Sequence, residues 1–400
     1  MRVSAIEIRL EADYCELRGR VVSDRDPDHD DWFEPFALWY RFPPWCVPFL
    51  SVDNGDPFLS ALLVPAMRTG ECLVIPAPIS PRLLEALPDI QAIFRCFDPR
   101  QKPTTVETTS RHEVATTPGN ETGVGLFFSM GVDSWYCLRK NARDHAADER
   151  TITHLIAVHG FDVAYEGWGS AFPASMLTNF QRVAAECGKT LVPVATNVRR
   201  VTEELAPWSM AHGGATLSIA HALGGLLRRV TLAASTTYDK LYPWGSHPVL
   251  DPRWSTEGLT VVHDGCEADR IDRTRFIAKS PLVLETLRVC PGYGPGYNCG
   301  KCYKCLRTMI DLMQAGCLER SATFPHEIDP EALRVGLRQI DDPASAANAL
   351  RRLRIFEASG EAPELREVLA EFAASDVGAT AVGSRRRRGV ISRFLRRAGG

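Results

Sequence analysis

The sequence of 400 residues has no apolar run long enough to cross a bilayer. A membrane-spanning helix needs about 20 consecutive apolar residues. The two most apolar stretches, residues 36–50 and 61–79, are interrupted by prolines and charged side chains. The first residues alternate between charged and apolar types and lack the apolar centre of a signal peptide. We therefore expect a cytoplasmic protein without a transmembrane segment.

An excess of charge of one sign is also missing. The chain has 46 basic and 49 acidic side chains and a net charge of −3, which does not favour a dedicated nucleic-acid-binding protein. The exception is a tail over residues 377–400, which is rich in arginine and has no acidic residue. We expect this tail to be disordered, with binding to an anionic membrane or RNA surface as the alternative.

The 12 cysteines do not indicate a disulfide framework, because no export signal accompanies them. Most are scattered singly and are typical of small buried apolar residues. Four are clustered in the pattern Cys290-x8-Cys299-Gly-Lys-Cys302-Tyr-Lys-Cys305. Four thiolates at such spacings can close a tetrahedron around Zn²⁺ and leave no open position for chemistry. The cluster therefore predicts a structural zinc site, with an iron–sulfur cluster as the alternative.

The hydrophobic pattern changes near residue 115. Before it, apolar and polar residues alternate as in strands, with one short helix from Pro81 to Leu87 that Pro88 is expected to end. After it, buried strands alternate with helices, which predicts an α/β fold with a doubly wound parallel sheet. The predicted organisation is a β-rich accessory domain (1–115), an α/β domain (116–320), a helical extension (321–376) and the basic tail (377–400).

Individual elements of the second half can be predicted from the same patterns. Strands are expected at residues 124–128, 152–159, 190–194, 230–234 and 259–263. Helices are expected at residues 133–145, 171–187, 215–228, 309–315, 330–337, 343–358 and 362–374. Ligands of parallel sheets bind at the carboxyl ends of the strands, so the connections that follow the strands are the places to look for a site.

The connection after the first of these strands reads Ser129-Met-Gly131-Val-Asp133-Ser134. It leads from a strand into a helix, where backbone N–H groups and the helix dipole favour an anion. Gly131 lets the backbone approach a phosphate closely, and the two serines add hydroxyl donors. The local pattern leaves an alternative open, in which Asp133 and Ser134 only cap the helix.

Ser-x-Gly-x-Asp-Ser after a buried strand resembles the pyrophosphate loop of the PP-loop ATP pyrophosphatase superfamily, normally Ser-Gly-Gly-x-Asp-Ser. Met130 stands where that family has its first glycine, and the loop carries no Gly-Lys-Ser/Thr of the Walker A type. The cysteine pattern follows in the same order as in 7-cyano-7-deazaguanine synthases of this superfamily. The resemblance covers about residues 123–316 and implies an adenine nucleotide alpha hydrolase-like fold.

The resemblance also implies an activity. Such enzymes cleave ATP between the α and β phosphates, transfer AMP to a carboxylate or similar oxygen of a small molecule, and release pyrophosphate, with Mg²⁺ at the phosphates. Ammonia, an amine or sulfur then displaces AMP. The cofactors implied are ATP, Mg²⁺ and Zn²⁺. The nucleotide-binding residues implied are Ser129, Met130, Gly131, Val132, Asp133, Ser134, His159, Gly160 and Phe161, the last three for adenine and ribose.

Two further regions carry titratable groups. Residues 242–257 are rich in aromatic side chains and prolines, and one aspartate there, with His247 and Arg253 as companions, is predicted to contact substrate or Mg²⁺. In a later helix one arginine is predicted to neutralise the departing pyrophosphate, while Arg275 and Lys279 are its alternatives. The predicted catalytic set is Ser129, Asp133, Ser134, Asp251 and Arg273.

Three functions stay open at this point. The first is a ligase or synthase that acts on a small carboxylic acid. The second is an RNA-modifying enzyme that holds tRNA with the N-terminal domain or the tail, although the acidic balance disfavours nucleic acid as a partner. The third is a non-catalytic nucleotide-binding module in which Met130 marks a degenerate loop. The acceptor, the role of residues 1–115 and homo-oligomerisation are not determined by the sequence.

Overall fold

The structure is a computed structural model that describes residues 1–108, 123–161, 174–290, 297–340 and 343–375. Its contacts divide the chain into two compact units. Unit 1 comprises Met1–Ser129, Cys137–Ser235 and Leu241–Cys266, and Unit 2 comprises Met130–Tyr136, Thr236–Lys240 and the chain from Glu267 onwards. Each unit has its own hydrophobic core among the described residues.

The strands of Unit 1 form one ten-stranded sheet. They are β1 (Arg2–Leu10), β2 (Cys15–Val22), β3 (Phe36–Phe42), β4 (Leu73–Ile75), β5 (Val106–Thr108), β6 (Gly123–Phe127), β7 (His154–His159), β8 (Thr190–Thr196), β9 (Leu227–Ala233) and β10 (Thr260–Asp264). Their order is β10-β9-β6-β7-β8-β3-β2-β1-β4-β5. Pairing is parallel except between β1 and β2, β2 and β3, and β3 and β8. The α/β class and the mostly parallel sheet are therefore confirmed.

Strand order reverses at β6. The strand that follows it in sequence, β7, lies on one side, and β9 lies on the other. Strand β6 is buried apart from half-buried Phe127, as expected for a parallel strand covered on both faces. In open parallel sheets, such a reversal opens a crevice at the carboxyl ends of the strands, and ligands bind there.

The strands of the first 108 residues belong to the same sheet as those of residues 123–264. Strand β3 pairs with β8 through Tyr40 opposite Thr196 and Arg41 opposite Ala195. The N-terminal strands thus extend one sheet. Whether residues 1–115 act as an accessory domain stays a prediction, and residues 109–122 lie outside the described part of the chain.

The predicted strands of the α/β half correspond to β6–β10 to within three residues at each end. The helices that begin in the first 266 residues are α1 (Asp56–Thr69), α2 (Pro81–Phe97), α3 (Val132–Asp144), α4 (Ala174–Glu186), α5 (Val198–Leu205) and α6 (Trp208–Ala222). Helix α1 is buried on nearly every side and packs against α6. A helix that is apolar on all sides has no amphipathic stripe. The sequence of α1 therefore shows no 3.6-residue apolar periodicity from which a helix could be predicted.

The expectation that Pro88 ends a helix was wrong. Helix α2 starts as predicted, with the Ser80 hydroxyl accepting from the N–H of Leu83, but it continues through Pro88 to Phe97. An internal proline costs about 3 kcal/mol or more. The continuation buries Ile90 and Phe94 completely, at about 1.5–3 kcal/mol each, and this burial offsets the cost.

The predicted helix over residues 215–228 was displaced, since α6 begins at Trp208 and ends at Ala222. The reason is the pair Gly213 and Gly214, which usually weakens a helix. Here a Cβ on Gly213 would lie 1.9 Å from the carbonyl oxygen of Gly245. The glycines therefore allow close packing of α6 in Unit 1 and do not break it.

Unit 2 is helical in its described part beyond Glu267. Its helices are α7 (Arg270–Ile277), α8 (Pro281–Thr286), α9 (Tyr303–Gln314), α10 (Pro330–Leu337), α11 (Pro343–Ser359) and α12 (Pro363–Ala374). The last three agree with the predicted helical extension to within one residue at each end. Helix α9 starts earlier than predicted, directly after Cys302. None of the helices described in either unit is both long and apolar enough to pass through a membrane.

Candidate functional site

The connection between β6 and α3 lies at the carboxyl end of the strand where the sheet order reverses. Ser129 is exposed at the end of the strand, whereas Ser134 is buried in the first turn of α3. The carbonyl oxygen of Gly131 accepts from the N–H of Trp135 at 2.9 Å and from the Ser134 hydroxyl at 3.1 Å. The chain therefore turns sharply from strand to helix, and Ser129 remains accessible to solvent.

Met130 takes the conformation that glycine adopts most readily. Its φ is +58°, which costs a residue with a Cβ about 1–2 kcal/mol. Its carbonyl oxygen accepts from the N–H of Arg288 at 3.0 Å. The Tyr297 hydroxyl lies 3.3 Å from the Met130 sulfur and 3.0 Å from the carbonyl oxygen of Thr286. Arg288, just before the cysteine cluster, and Tyr297, between Cys290 and Cys299, thus hold Met130 within Unit 2, and the bend forms without the glycine.

Asp133 does not present a free carboxylate. Its Oδ1 accepts from Nη1 of Arg273 at 2.6 Å, and its Oδ2 accepts from Nη1 of Arg270 at 3.2 Å. Burial acts to raise the pKa of Asp133, but the charges of Arg273 and Arg270 outweigh burial and leave the pKa below its ordinary value. The carboxylate is therefore ionised and used to hold two arginines beside the start of α3.

The three basic residues proposed for the pyrophosphate differ in position. Arg273 is 1% exposed and also donates to the carbonyl oxygen of Thr236 at 3.3 Å. Arg275 is partly exposed and lies 3.9 Å from Asp272, and Lys279 is exposed. Only Arg273 of the three contacts the Asp133 carboxylate. Arg270, which was not predicted from the sequence, also contacts this carboxylate. It lies three residues before Arg273 and thus on the same face of α7, and this spacing could have identified it.

The residues predicted for adenine and ribose begin at the last residue of β7, the neighbour of β6. His159 is buried, and Gly160 has a φ of +107°. A Cβ on Gly160 would lie 2.1 Å from the carbonyl oxygen of Thr196, so only glycine fits there. The Phe161 ring is 5.6 Å from that of Trp208, at an angle of 59°. Ser129 and His159 thus lie at the carboxyl ends of adjacent strands, while nucleotide binding at these residues stays a prediction.

Asp251 is fully buried in Unit 1. Its Oδ2 accepts from the Ser246 hydroxyl at 2.6 Å and from Nδ1 of His263 at 2.7 Å. Its Oδ1 accepts from the N–H of His247 at 3.1 Å. Both oxygens are therefore engaged inside the protein, and the predicted contact of Asp251 with substrate or Mg²⁺ stays a prediction.

His263 at the end of β10 was not singled out from the sequence. Burial acts to lower its pKa, but hydrogen bonds to Asp251 and to Cys266 outweigh burial and raise the pKa to about 9. His263 is thus a cation at neutral pH that neutralises the buried Asp251 carboxylate. The companions of Asp251 are placed differently: His247 is buried near Phe97, and Arg253 lies 3.5 Å from exposed Asp89.

The four clustered cysteines converge in Unit 2. Their sulfur atoms all lie within 4.8 Å of one another. The Sγ atoms of Cys290 and Cys302 are 3.9 Å apart, and those of Cys299 and Cys305 are 3.8 Å apart. A tetrahedron with Zn–S bonds of about 2.3 Å has S···S edges of about 3.8 Å. The cluster can therefore hold one metal ion, and zinc fits its dimensions.

Backbone groups support a thiolate at this cluster. Gly300 has a φ of +69°, and the N–H groups of Lys301 and Cys302 point at the Cys299 sulfur at 3.4 and 3.2 Å. The pKa of Cys302 is lowered to about 5, above all by a hydrogen bond with the Cys305 thiol, while the pKa of Cys305 is raised. Thiols this close share their protons unequally, so at least one is ready to bind a metal as thiolate.

The described residues thus offer two kinds of site, an anion-favouring bend with arginines and a four-thiolate metal site. Neither contains an arrangement of unused carboxylates that would bind a metal directly. No protein-family model, curated protein or solved structure matches the chain. What the protein does is therefore inferred from its own residues and their geometry.

Proposed function

We propose that the chain is an AMP-forming ligase of the ATP pyrophosphatase type, with an adenine nucleotide alpha hydrolase-like fold. It adenylates a carboxylate, or a similar oxygen, of a small molecule and releases pyrophosphate. Ammonia, an amine or sulfur then attacks the adenylate and displaces AMP, and we expect C–N bond formation as in 7-cyano-7-deazaguanine synthases. The observation that carries this proposal is the position of the Ser129–Ser134 bend at the carboxyl end of β6, where the strand order reverses.

The geometry of the bend supports an anion in two ways. Ser129 is exposed, and Met130 takes the left-handed backbone conformation that glycine adopts most readily. The bend opens into α3, a helix of 13 residues, whose dipole favours a phosphate at its N-terminus. Met130, the residue that departs from the pattern, therefore has a backbone conformation that suits glycine, and this favours a working loop over a degenerate one.

Mg²⁺ would bind mainly through the nucleotide. The Asp133 carboxylate already accepts from two arginines, and the Asp251 carboxylate is fully buried and hydrogen-bonded. Neither has an oxygen free for a cation. Mg²⁺ commonly keeps several waters and is held by substrate phosphates with few protein ligands. A site whose carboxylates are already hydrogen-bonded is therefore compatible with Mg²⁺ bound to ATP.

Zn²⁺ at the cysteine cluster would be structural. All four ligand positions of Zn²⁺ would be filled by Cys290, Cys299, Cys302 and Cys305, which leaves no position for substrate. Arg288, just before the cluster, and Tyr297, between Cys290 and Cys299, contact Met130. The metal site therefore stabilises the segment of Unit 2 that holds the left-handed backbone of the bend.

ATP–pyrophosphate exchange tests the proposed function. Labelled pyrophosphate is incubated with the protein, Mg²⁺-ATP and pools of small carboxylic acids, and its incorporation into ATP is measured. We expect acid-dependent exchange that drops at least tenfold in Ser129→Ala, because a hydroxyl donor to a charged phosphate contributes about 1.5–3 kcal/mol. Ser4→Ala on strand β1 is the matched control and should exchange like the wild type.

Absence of exchange with every acid pool, in protein that is folded and loaded with metal, would contradict the ligase proposal. Exchange that requires tRNA instead of a small acid would select the RNA-modifying alternative. Mass spectrometry of the reaction then identifies the acceptor through its AMP adduct.

A further inference from the structure

The cysteine cluster of Unit 2 is partly open to solvent. It consists of Cys290, Cys299, Cys302 and Cys305, whose sulfur atoms all lie within 4.8 Å of one another. Cys299 is exposed, Cys302 is half-buried, and the other two are buried. The sulfur of Cys305 lies 3.8 Å from that of Cys299. An accessible sulfur beside a second thiol that can resolve it is typical of redox-sensitive cysteines.

Two residues next to the cluster hold a residue whose backbone conformation is unfavourable by itself. Met130, in the bend between β6 and α3, has a φ of +58°, which a residue with a Cβ seldom adopts. Its carbonyl oxygen accepts from the N–H of Arg288 at 3.0 Å, and its sulfur lies 3.3 Å from the Tyr297 hydroxyl. Arg288 stands two residues before Cys290, and Tyr297 stands two residues before Cys299. Because strained backbone persists only where the surrounding structure imposes it, a change in the cluster acts on the bend.

A disulfide within the cluster is incompatible with a four-thiolate metal site. Two sulfur atoms joined to each other no longer serve as thiolate ligands, and the two that remain cannot close a tetrahedron around zinc. Loss of the metal also releases the start of α9, because Cys302 is its N-cap residue and Cys305 lies in its first turn. The state of the four sulfur atoms is therefore coupled both to α9 and to the residues that hold Met130.

We propose that the cysteine cluster is a redox switch for the bend, in which peroxide converts Cys299 and Cys305 to a disulfide and Met130 loses its contacts with Arg288 and Tyr297. In the first step the Cys299 thiolate takes one oxygen from hydrogen peroxide, which gives a sulfenic acid and hydroxide. In the second step the Cys305 thiol attacks that sulfur, which forms the S–S bond and releases water. The two sulfur atoms together lose two electrons, and these reduce the peroxide. Control of activity by this switch rests on the proposed function, whereas the change in the bend does not.

Graded addition of hydrogen peroxide to the full-length, zinc-loaded protein tests the switch. Zinc release is followed with a chelating dye, and the disulfide is mapped by peptide mass spectrometry. Hydrogen exchange is measured at the amide of Arg288, which donates to Met130. We expect loss of at least half of the zinc, a disulfide between Cys299 and Cys305, and at least tenfold faster exchange at Arg288. Dithiothreitol together with zinc should reverse all three changes.

Two variants separate the cluster from other effects of peroxide. Cys96→Ser is the matched control, because Cys96 is an exposed cysteine outside the cluster, and it should respond like the wild type. Tyr297→Phe keeps all four cysteines but removes the hydroxyl beside the Met130 sulfur. It should release zinc like the wild type, and its Arg288 amide should exchange faster than that of the wild type before peroxide is added.

Several results would overturn the switch. These are zinc that stays bound after Cys96 of the same protein is fully oxidised, zinc release that leaves exchange at Arg288 unchanged, or a disulfide between any other pair. Faster exchange in strand β2 of Unit 1 as well would show that oxidation unfolds the chain and does not act on the bend. The expected changes in a protein without ATP–pyrophosphate exchange, reduced or oxidised, would keep the switch and reject the ligase proposal.

Discussion

Asp251 shows how single residues of this protein make a buried charge tolerable. The carboxylate accepts from the Ser246 hydroxyl, from the backbone N–H of His247 and from His263. Taking a carboxylate out of water costs several kcal/mol, and these donors together with the imidazolium charge offset that cost. The pair also connects the loop that contains Asp251 to the end of β10, at the carboxyl edge of the sheet.

Replacing His263 should make stability depend less on pH. The folded-state pKa of about 9 lies above the ordinary value of 6.5, so the folded state binds this proton more tightly than the unfolded chain. The resulting stabilisation is complete below about pH 6.5 and is lost as pH rises to about 9. The free energy of unfolding of wild type minus that of His263→Gln should therefore fall by about 3 kcal/mol over this range, as measured by urea unfolding.

His29→Gln controls for the loss of a histidine, because His29 is exposed. Its unfolding is measured over the same pH series. A difference between wild type and His263→Gln that is constant or grows with pH would show that His263 is not held as a cation by Asp251.

Met130 is a second residue at which local preference and tertiary contacts conflict. A left-handed φ at a residue with a Cβ costs about 1–2 kcal/mol. The methionine side chain is fully buried, and burial of a side chain of this size stabilises by about 1.5–3 kcal/mol. Packing therefore outweighs backbone strain, which explains how the bend keeps its shape without glycine.

Among the secondary-structure elements, helix α9 depends most directly on the cysteine cluster. Cys302 is its N-cap residue but makes no side-chain capping hydrogen bond, and Cys305 lies in its first turn. A metal ion held by both would fix the start of the helix, which a normal N-cap does with a hydroxyl or carboxylate. Met130 is held by Arg288, just before the cluster, and by Tyr297, within it.

Purified protein should contain about one zinc ion per chain, because the four sulfur atoms have the spacing of a tetrahedral site. Cys302→Ser should lose most of the zinc and melt at a lower temperature, since binding energy at a structural site contributes to folding. Inductively coupled plasma mass spectrometry measures the metal. Cys96→Ser, at an exposed cysteine of α2, should keep both zinc and stability. Well under one zinc or iron ion per chain in the wild type would contradict the metal assignment.

On the scale of the whole molecule, each unit has a separate core. The core of Unit 1 is formed by the sheet and its helices, whereas residues such as Leu306, Leu333 and Phe356 form that of Unit 2. Unit 2 also contains the fully buried pair of Arg352 and Asp311. A charged pair inside a small helical core makes that core sensitive to the loss of either partner.

Arg352→Met should lower the free energy of unfolding by about 3–5 kcal/mol, because it leaves Asp311 buried without its partner. Arg351→Met is the matched control at the neighbouring position. Arg351 pairs with Asp269 and Asp272 but is 32% exposed, so its loss should cost about 1 kcal/mol or less. Urea unfolding measures both. An equal effect of the two substitutions would show that the buried pair adds no special stability.

Much of the α/β half could be predicted from local pattern. Strands β6–β10 and helices α10–α12 carry the apolar periodicity of their elements, and the cysteine spacing alone identified the four thiols that converge in the structure. Helix α1 and the second half of α2 could not be predicted, because their stability comes from burial and their prolines indicate breaks. The prediction for α6 was displaced because Gly213 and Gly214 suggest a break in a helix. In the structure Gly213 allows close contact with Gly245 inside the helix.

The amino-acid sequence by itself determined which segments are strands or helices in the α/β half, where a metal can bind and where the chain bends after β6. Tertiary structure alone decided that β3 pairs with β8, which joins the N-terminal strands to the parallel sheet. It also decided that Arg273 reaches Asp133, 140 positions away in sequence. The physical reason is that the apolar periodicity of a segment indicates which of its faces is buried. Which other segment covers that face depends on the packing and charge balance of the whole chain.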